Sequence, residues 1–391
     1  MSWKNCHDVE DLRREAKRRL PAGLFNYIDR GTEDDVANRN NRLDFQRIRM
    51  LPRALVDVEN RTTETRILGQ TFAMPLIIAP AGPAGLFWYK GELALARAAK
   101  ETGVPFALST YSTTSAEDIA RTGATVWQQL YFWKDKRLAE PIISRAENLG
   151  FRTLVVTVDT AVLGIREYAM RDRFMPPYGP SIGAYWDMTM HPGWLFGVAL
   201  RYLLNGGLPR VANLPQEGDV TDIENGTALS QSVTWDDIAR LRDRWGGRLL
   251  IKGVLRPDEA LRAAELGLDG IVISNHGGRN LDSAASTISA LPAIHRTVGG
   301  RLDLFLDSGV RRGSDIAKAL ALGATAVLAG AAPLFGIAAG GERGARRALE
   351  IFRSELDCTM ALCGAADVDG LTPNLIWGME GSFDAEGRSV P

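Results

Sequence analysis

The sequence predicts an α/β chain folded as a (β/α)8 barrel of the TIM type, carrying an N-terminal helical segment and a long insertion after the fourth strand. Three observations predict it. Eight short, near-continuous apolar runs recur from about residue 74, each followed by an amphipathic stretch. Many of those stretches close on glycine (Gly103, Gly123, Gly150, Gly267, Gly299, Gly323), the left-handed stop expected just past a helix end. No G-x-G-x-x-G follows any run, which disfavours an open doubly wound sheet. Strands that are apolar on both sides suit a parallel sheet, because helices cover its outer face and side chains fill its inner one.

Before the barrel, the first twenty residues (MSWKNCHDVEDLRREAKRRL) are charged and lack the roughly 7 to 15 residue apolar core of a signal peptide. A cytoplasmic protein is expected. The runs then fall at residues 75–79 (PLIIA), 105–108 (PFAL), 126–130 (VWQQL), 153–158 (TLVVTV), 249–252 (LLIK), 270–274 (GIVIS), 302–306 (LDLFL) and 325–329 (TAVLA). Thr234 is expected to cap the helix TWDDIARLRDRW, with Asp237 three residues on and Trp235, Ile238, Leu241 and Trp245 at helical spacing. The barrel is placed at 74–335, with a C-terminal helix and tail at 343–391, all within a single domain 1–391.

The repeat breaks once, at an insertion of about 174–233 rich in Gly, Pro and aromatics. Its apolar stretch 194–204 (WLFGVALRYLL) is much shorter than the roughly 20 residues that span a bilayer. Four readings are open for it: a lid, an oligomer contact, ordinary packing, or an interfacial anchor with Trp194 and Tyr202 at headgroup level.

Composition bounds the function. The 391 residues contain 46 Lys and Arg against 47 Asp and Glu, with 45% hydrophobic residues. That is an ordinary globular balance, with no bulk positive charge for nucleic acid. Three cysteines (Cys6, Cys358, Cys363) without C-x-x-C spacing argue against a disulfide framework or structural zinc. Four histidines (His7, His191, His276, His295) make a multi-histidine metal site implausible, so no metal is expected.

Barrel enzymes assemble their sites at the C-terminal ends of the strands. In order, those ends carry Pro80-Ala81-Gly82; Ser109; Gln129, leading to Tyr131; Thr157 and Asp159, then Arg166; Lys252; Ser274-Asn275-His276-Gly277-Gly278-Arg279; Asp307 with Gly309 and Arg311; and Gly330. Taken singly, Lys252 could be a snorkelling surface lysine, Asp159 a helix cap and Arg311-Arg312 a solvated turn. Together they describe a flavin-sized site. Gly309, Gly313 and Gly330 would let backbone N–H groups approach a phosphate beside Arg311, and Lys252 could stabilise negative charge on an electron-accepting ring. His276 could act as a base supported by Asp159, while Arg166 and Arg279 clamp a carboxylate.

The run SNHGGRNLD at 274–282 closely resembles the signature of the FMN-dependent α-hydroxy acid oxidases and dehydrogenases, a family that includes mandelate and lactate dehydrogenases and glycolate oxidases. LPAGLFNYIDRGTEDD, APAGPAG, QQLYFWKD, TVDTAVLGIRE, IKGVL, LDSGVRRGSDIAKALALGA and ELDCTMALCG resemble further landmarks in the family's order, over residues 5–365. The resemblance implies FMN as cofactor. It implies His276 as the base, Asp159 as its supporting carboxylate, and Arg166 and Arg279 as the carboxylate pair helped by Tyr27. Tyr131 would meet the substrate hydroxyl, and Lys252 would lie near flavin N1. Pro80, Ala81, Gly82, Ser109, Gln129, Thr157 and Ser274 are implied as flavin contacts, and Asp307, Gly309, Arg311 and Gly330 as ribityl and phosphate contacts. Ala331 departs from the pattern, standing where the family usually has an arginine on the phosphate.

The implied reaction is oxidation of an (S)-2-hydroxy acid to the 2-keto acid. Gly82 leaves out a methyl and suggests an aryl or bulky acid, whereas Tyr111 could narrow the pocket. L-lactate remains an alternative. The insertion falls where membrane-associated members carry an interfacial segment, so a quinone acceptor, a peripheral contact through 174–215 on the inner face of the cytoplasmic membrane and a homo-tetramer are expectations, with oxygen as the alternative acceptor. From a different class, a phosphate-binding barrel isomerase would be colourless.

Overall fold

The computed structural model describes residues 3–172, 182–207, 209–214 and 229–378. Eight parallel strands close into a barrel: β1 (Leu76–Ile78), β2 (Phe106–Leu108), β3 (Val126–Leu130), β4 (Thr153–Thr157), β5 (Arg248–Val254), β6 (Gly270–Ile273), β7 (Asp303–Leu306) and β8 (Ala326–Ala329). β8 closes the ring on β1, with Val327 opposite Leu76 and Ala329 opposite Ile78. Each predicted run forms one strand.

The alternation of side chains along a strand explains why those runs are apolar on both sides. Outward residues such as Ile78, Leu108, Leu154, Ile251 and Leu306 join the large core beneath the helices. Inward residues Ala79, Ala107, Trp127, Val155, Leu250, Val272, Phe305 and Leu328 fill the barrel. A hairpin of Thr65–Ile67 and Gln70–Phe72 adds Ile67 and Phe72 to that inner cluster.

Three N-terminal helices precede the barrel: α1 (Val9–Arg19), capped by Asp8, whose carboxylate accepts the Asp11 N–H at 2.7 Å; α2 (Ala22–Asp29); and α3 (Val36–Arg47). α1 packs along the helix Ala331–Cys363, which breaks at Gly340 and Gly341 and so joins the last barrel helix to the C-terminal one. The helix Trp235–Arg244 starts as expected, with Asp237 accepting the Thr234 N–H at 2.8 Å. Trp245 lies just past its end instead of inside it.

Within the insertion the described residues are helical over Ile182–Thr189 and again over 192–204, where a π turn, Leu195–Ala199, separates two short α segments, while 209–214 and 229–233 are not helical. Residues 174–181, 208 and 215–228 of the predicted insertion, residue 173 just before it, and 379–391 of the tail lie outside the described residues. Trp194 and Tyr202 are not at an outer face. Trp194 is buried and donates its indole N–H to Leu86 O at 2.7 Å, while the Tyr202 hydroxyl accepts the Lys90 N–H at 2.9 Å. Their polar tips find partners in the loop after β1, which favours docking over exposure. The large side chains exposed there instead are Ile182, Tyr185, Trp186, Met190, Phe196, Leu200, Leu203 and Leu204. Among the described residues no helix is long and apolar enough to cross a membrane.

Candidate active site

The inner layer of the barrel fixes what comes next. Two residues beyond Ala79, Ala107, Trp127, Val155, Leu250, Val272, Phe305 and Leu328 stand Ala81, Ser109, Gln129, Thr157, Lys252, Ser274, Asp307 and Gly330, so the period of two that packs the core aims this set at one mouth. A cavity of about 300 Å³ opens there, and Lys252, His276 and Asp307 line it together with Tyr131, Arg166 and Arg279.

Lys252 is buried on β5. Its ammonium donates to Ser274 Oγ at 2.8 Å and lies 3.1 Å from Asp307 and 4.0 Å from Asp159. Burial works against the charge, yet Asp307 and Asp159 outweigh it and hold the lysine pKa above its usual range. Asp159 is likewise opposed by burial, but the His276 and Lys252 charges bring its carboxyl down to about 2. A buried anion is thus set between an ammonium and an imidazole, which excludes both the snorkelling lysine and the helix-cap aspartate.

His276 sits in left-handed backbone (φ 58°), followed by Gly277 and Gly278, both at φ 71°. A Cβ on Gly278 would collide with the backbone of Asn38 in α3, so only glycine lets α3 approach this loop. Strain of this kind persists where the surroundings impose it. His276 Nδ1 lies 2.8 Å from Asp159 Oδ1. A carboxylate only accepts, so it holds the ring proton on Nδ1 and leaves the Nε2 lone pair free. Burial, reinforced by the Lys252 and Arg279 charges and opposed by Asp159, keeps the imidazole pKa below 6.5.

Two guanidinium groups flank this pair. Arg279 stacks on the Tyr27 ring (4.6 Å) and donates to the carbonyls of Tyr27 and Arg30. Arg166 donates to Arg279 O at 3.2 Å, but its buried Nε has no partner. Burial and the Arg279 charge lower the Arg166 pKa to about 10. Two adjacent cations, one buried with an unmet donor and one half-buried, suit a carboxylate ligand. The Tyr27 hydroxyl donates to Gly82 O at 2.8 Å, and Tyr111 and Tyr131 pack edge to face at 5.5 Å.

At the other end, Gly309 (φ 92°), Arg311, Gly330 and Ala331 line the same cavity. Burial and the nearby Arg42 charge lower the Arg311 pKa to about 10. Gly330 stands immediately before the helix Ala331–Cys363, whose free N–H groups and positive dipole end favour an anion. Arg42 donates to Gly309 O and pairs with Asp315 at 2.9 Å, and Asp315 in turn accepts the Arg311 and Arg312 N–H groups. The turn is tied from behind.

Most sequence-predicted residues line the cavity, including Tyr27, Pro80, Ala81, Gly82, Ser109 and Tyr111. Gln129, Thr157, Asp159 and Ser274 do not line it and stand one layer behind. Gln129 accepts the Thr110 N–H at 2.9 Å and donates to Thr157 at 3.0 Å, and Ser274 Oγ accepts from Lys252 and from the His276 N–H. Gly82 needs a correction. A Cβ there would meet the Tyr111 carbonyl at 2.7 Å, so the absent methyl makes room for the neighbouring loop and not for a ligand. The sequence reading missed Asn41, whose amide exchanges two hydrogen bonds with Asn275 (2.9 and 2.7 Å), as well as Arg42 and Ser308. Ser308 Oγ accepts the Gly277 N–H at 2.9 Å and donates to Asp307 at 2.7 Å.

One cavity with an anion cradle at one end, a buried lysine between, and a base with two cations at the other fits a mononucleotide flavin and a small acid. A model of the family described as FMN-dependent dehydrogenase matches residues 16–378. The chain belongs to that family. This FMN-dependent dehydrogenase is 40% identical to (S)-mandelate dehydrogenase of Pseudomonas putida over 379 residues, 95% of this chain and 94% of the relative. It is 37% identical to a 2-hydroxyacid oxidase of Dictyostelium discoideum over 371 residues (94% and 89%), and 38% identical to an L-lactate dehydrogenase of Pseudomonas aeruginosa over 366 (92% and 94%). Among solved structures, that of a monotopic membrane protein, (S)-mandelate dehydrogenase, superposes with a TM-score of 0.89 at 39% identity, covering 95% of this chain and 99% of the other. A mandelate oxidase variant with (S)-mandelic acid gives 0.80 at 32%, covering 94% and 97%.

Proposed function

We propose that this enzyme oxidises a bulky (S)-2-hydroxy acid to the 2-keto acid, and that His276 is the base. The observation that carries the reading is His276 on the cavity wall beside Arg166 and Arg279, backed by Asp159 one layer behind. Arg166, through its unmet Nε, and Arg279 would hold the substrate carboxylate. His276 Nε2 would take a proton, and Asp159 would stabilise the imidazolium so formed. Burial pushes the Tyr131 phenol far up, so it stays protonated and able to donate to the substrate hydroxyl oxygen. FMN would be held by Arg311, Gly309 and the helix end at Gly330, with Pro80, Ala81, Ser109 and Lys252 along its ring. Bound FMN would supply the acceptor for the two electrons that leave the α-carbon and for the second of the two hydrogens lost. Ala331 contributes no charge, leaving Arg311 and the backbone N–H groups to meet the phosphate.

Leu86, Phe87, Tyr111, Leu163, Val211 and Leu229 give the cavity apolar and aromatic walls, which favour an aryl or long-chain acid over lactate. The test is anaerobic bleaching of the yellow enzyme by mandelate, lactate, glycolate and longer 2-hydroxy acids. Mandelate or a long-chain acid should bleach it fastest. Bleaching by none would overturn the reading.

The exposed apolar face of the insertion supports a peripheral contact with the inner face of the cytoplasmic membrane, and with it a quinone acceptor. Ile182, Trp186, Met190, Phe196, Leu203 and Leu204 are all exposed. Arg201 of the insertion and Lys90, both over Tyr89, and Arg19 over Trp88 add cations where the insertion docks. An aromatic and cationic face of this kind lies in a lipid interface. Wild-type protein should float with vesicles containing anionic lipid, whereas Trp186→Glu with Leu204→Glu should stay in the soluble fraction and keep its turnover with a soluble dye. Equal flotation of the two would remove the insertion from this role.

A further inference from the structure

Glu92 opens the helix after β1, and its carboxylate is 1% exposed. No catalytic step uses it. Its two oxygens accept four hydrogen bonds: the Ala84 N–H at 2.8 Å and the Thr113 N–H at 3.0 Å on one, and the Thr113 and Thr114 hydroxyls at 2.8 and 3.1 Å on the other. No lysine or arginine pairs with it among the described residues, so its oxygens, in the first turn of the helix, are met by these four donors. They belong to two loops. Ala84 follows Gly82 and Pro83 on the cavity wall, and Thr113 follows Tyr111 on the same wall.

The two loops are in close contact at this point. Gly82 faces the Tyr111 carbonyl, and Gly85 leaves no room for a Cβ beside the Thr113 and Tyr202 hydroxyls. Gly82 O also accepts the Tyr27 hydroxyl. The insertion reaches the same place: Tyr202 takes the Lys90 N–H and packs against Tyr89 with the rings tilted and 4.7 Å apart, and Trp194 donates to Leu86 O. Burial, chiefly, pushes the Tyr202 phenol up to about 12, so it remains a neutral hydroxyl in the joint.

We infer that Glu92 is a positioning residue that sets the spacing between Gly82 and Tyr111, and thereby the fit of the substrate side chain. Tyr202 extends this brace to the insertion. The inference rests on the proposed oxidation of a 2-hydroxy acid in this cavity. A carboxylate accepts from all four donors, whereas the amide of glutamine turns an NH2 toward two of them. In Glu92→Gln the NH2 faces the Thr113 and Thr114 hydroxyls, which must turn to accept from it, and the two backbone N–H groups meet a neutral acceptor in place of a carboxylate, so the brace holds the two loops less tightly.

The experiment compares wild type, Glu92→Gln, Thr113→Val and Tyr202→Phe for FMN content, for the Kd of phenylacetate read from the flavin spectrum, and for KM and kcat with mandelate and lactate. Glu92→Gln should keep its FMN and its kcat within about threefold, while the phenylacetate Kd and the mandelate KM rise about tenfold and the lactate KM rises much less. Thr113→Val, which removes one donor, should show the same pattern at about threefold, and it carries the test if Glu92→Gln does not fold. Lower thermal stability with unchanged KM and phenylacetate Kd in the folded variants would overturn the inference, as would equal losses for both acids. Failure of the wild type itself to bleach with any 2-hydroxy acid would instead strike the proposed function.

Discussion

Replacing His276 by asparagine should slow anaerobic bleaching roughly 10²–10⁴-fold, the range a positioned base contributes, while FMN content stays at the wild-type level. Asparagine is the informative choice because His276 lies at φ 58°, a left-handed conformation that asparagine tolerates better than most side chains. The loop can then keep its shape without its base. The pH profile supplies a second reading of the same residue. Burial holds the imidazole below 6.5, so kcat/KM should rise with pH through a midpoint under 6.5 and then level off. Asp159 pulls that value upward against the Lys252 and Arg279 charges. Asp159→Asn should therefore move the midpoint to lower pH and, with the imidazolium no longer stabilised, lower the plateau rate. Rapid bleaching in His276→Asn, or a midpoint that moves upward in Asp159→Asn, would take His276 out of the base's role.

Much of this site is legible in the sequence because a strand has a period of two. Once the runs are known, the residue two places beyond the last inward core position is determined, and this is how Ala81, Gln129, Lys252 and Asp307 come together without any pairwise signal. The same rule does not say how deep each side chain sits. Gln129 and Thr157 bond to one another and Ser274 to Lys252, so they act from behind the wall, which no local pattern reveals. Asn41 and Arg42 were missed for a different reason. They lie on α3, more than 200 residues from Asn275 and Gly309, and only the packing of that helix against the loops joins them. Trp194 and Tyr202 show the opposite failure. Their amphipathic chemistry fits a membrane interface and a hydrogen-bonded dock equally well, and the partners that decide, Leu86 O and Lys90 N, are more than 100 residues away.

Lys252→Met should be the most damaging single change to stability. The substitution keeps the volume of the side chain but leaves Asp307 and Asp159 as buried carboxylates without their ammonium partner. Removing one member of a buried pair costs about 3–5 kcal/mol, because the remaining charge stays desolvated. The sign of its pH dependence follows from Asp159. In the wild type its carboxyl lies near 2, below the ordinary 3.8, with His276 and Lys252 as the principal charges against burial. A depressed carboxyl contributes stability above its unfolded pKa and loses it as pH falls through the folded one. In Lys252→Met that depression shrinks, so the variant should differ most from wild type at pH 6–7 and progressively less as pH falls from about 4 toward 2. Urea unfolding of both proteins with excess FMN, at intervals over this range, measures the difference directly. A gap that stays constant down to acid pH would assign the loss to packing alone, and would leave the lysine with its place beside the cofactor but not with the charge balance of the site.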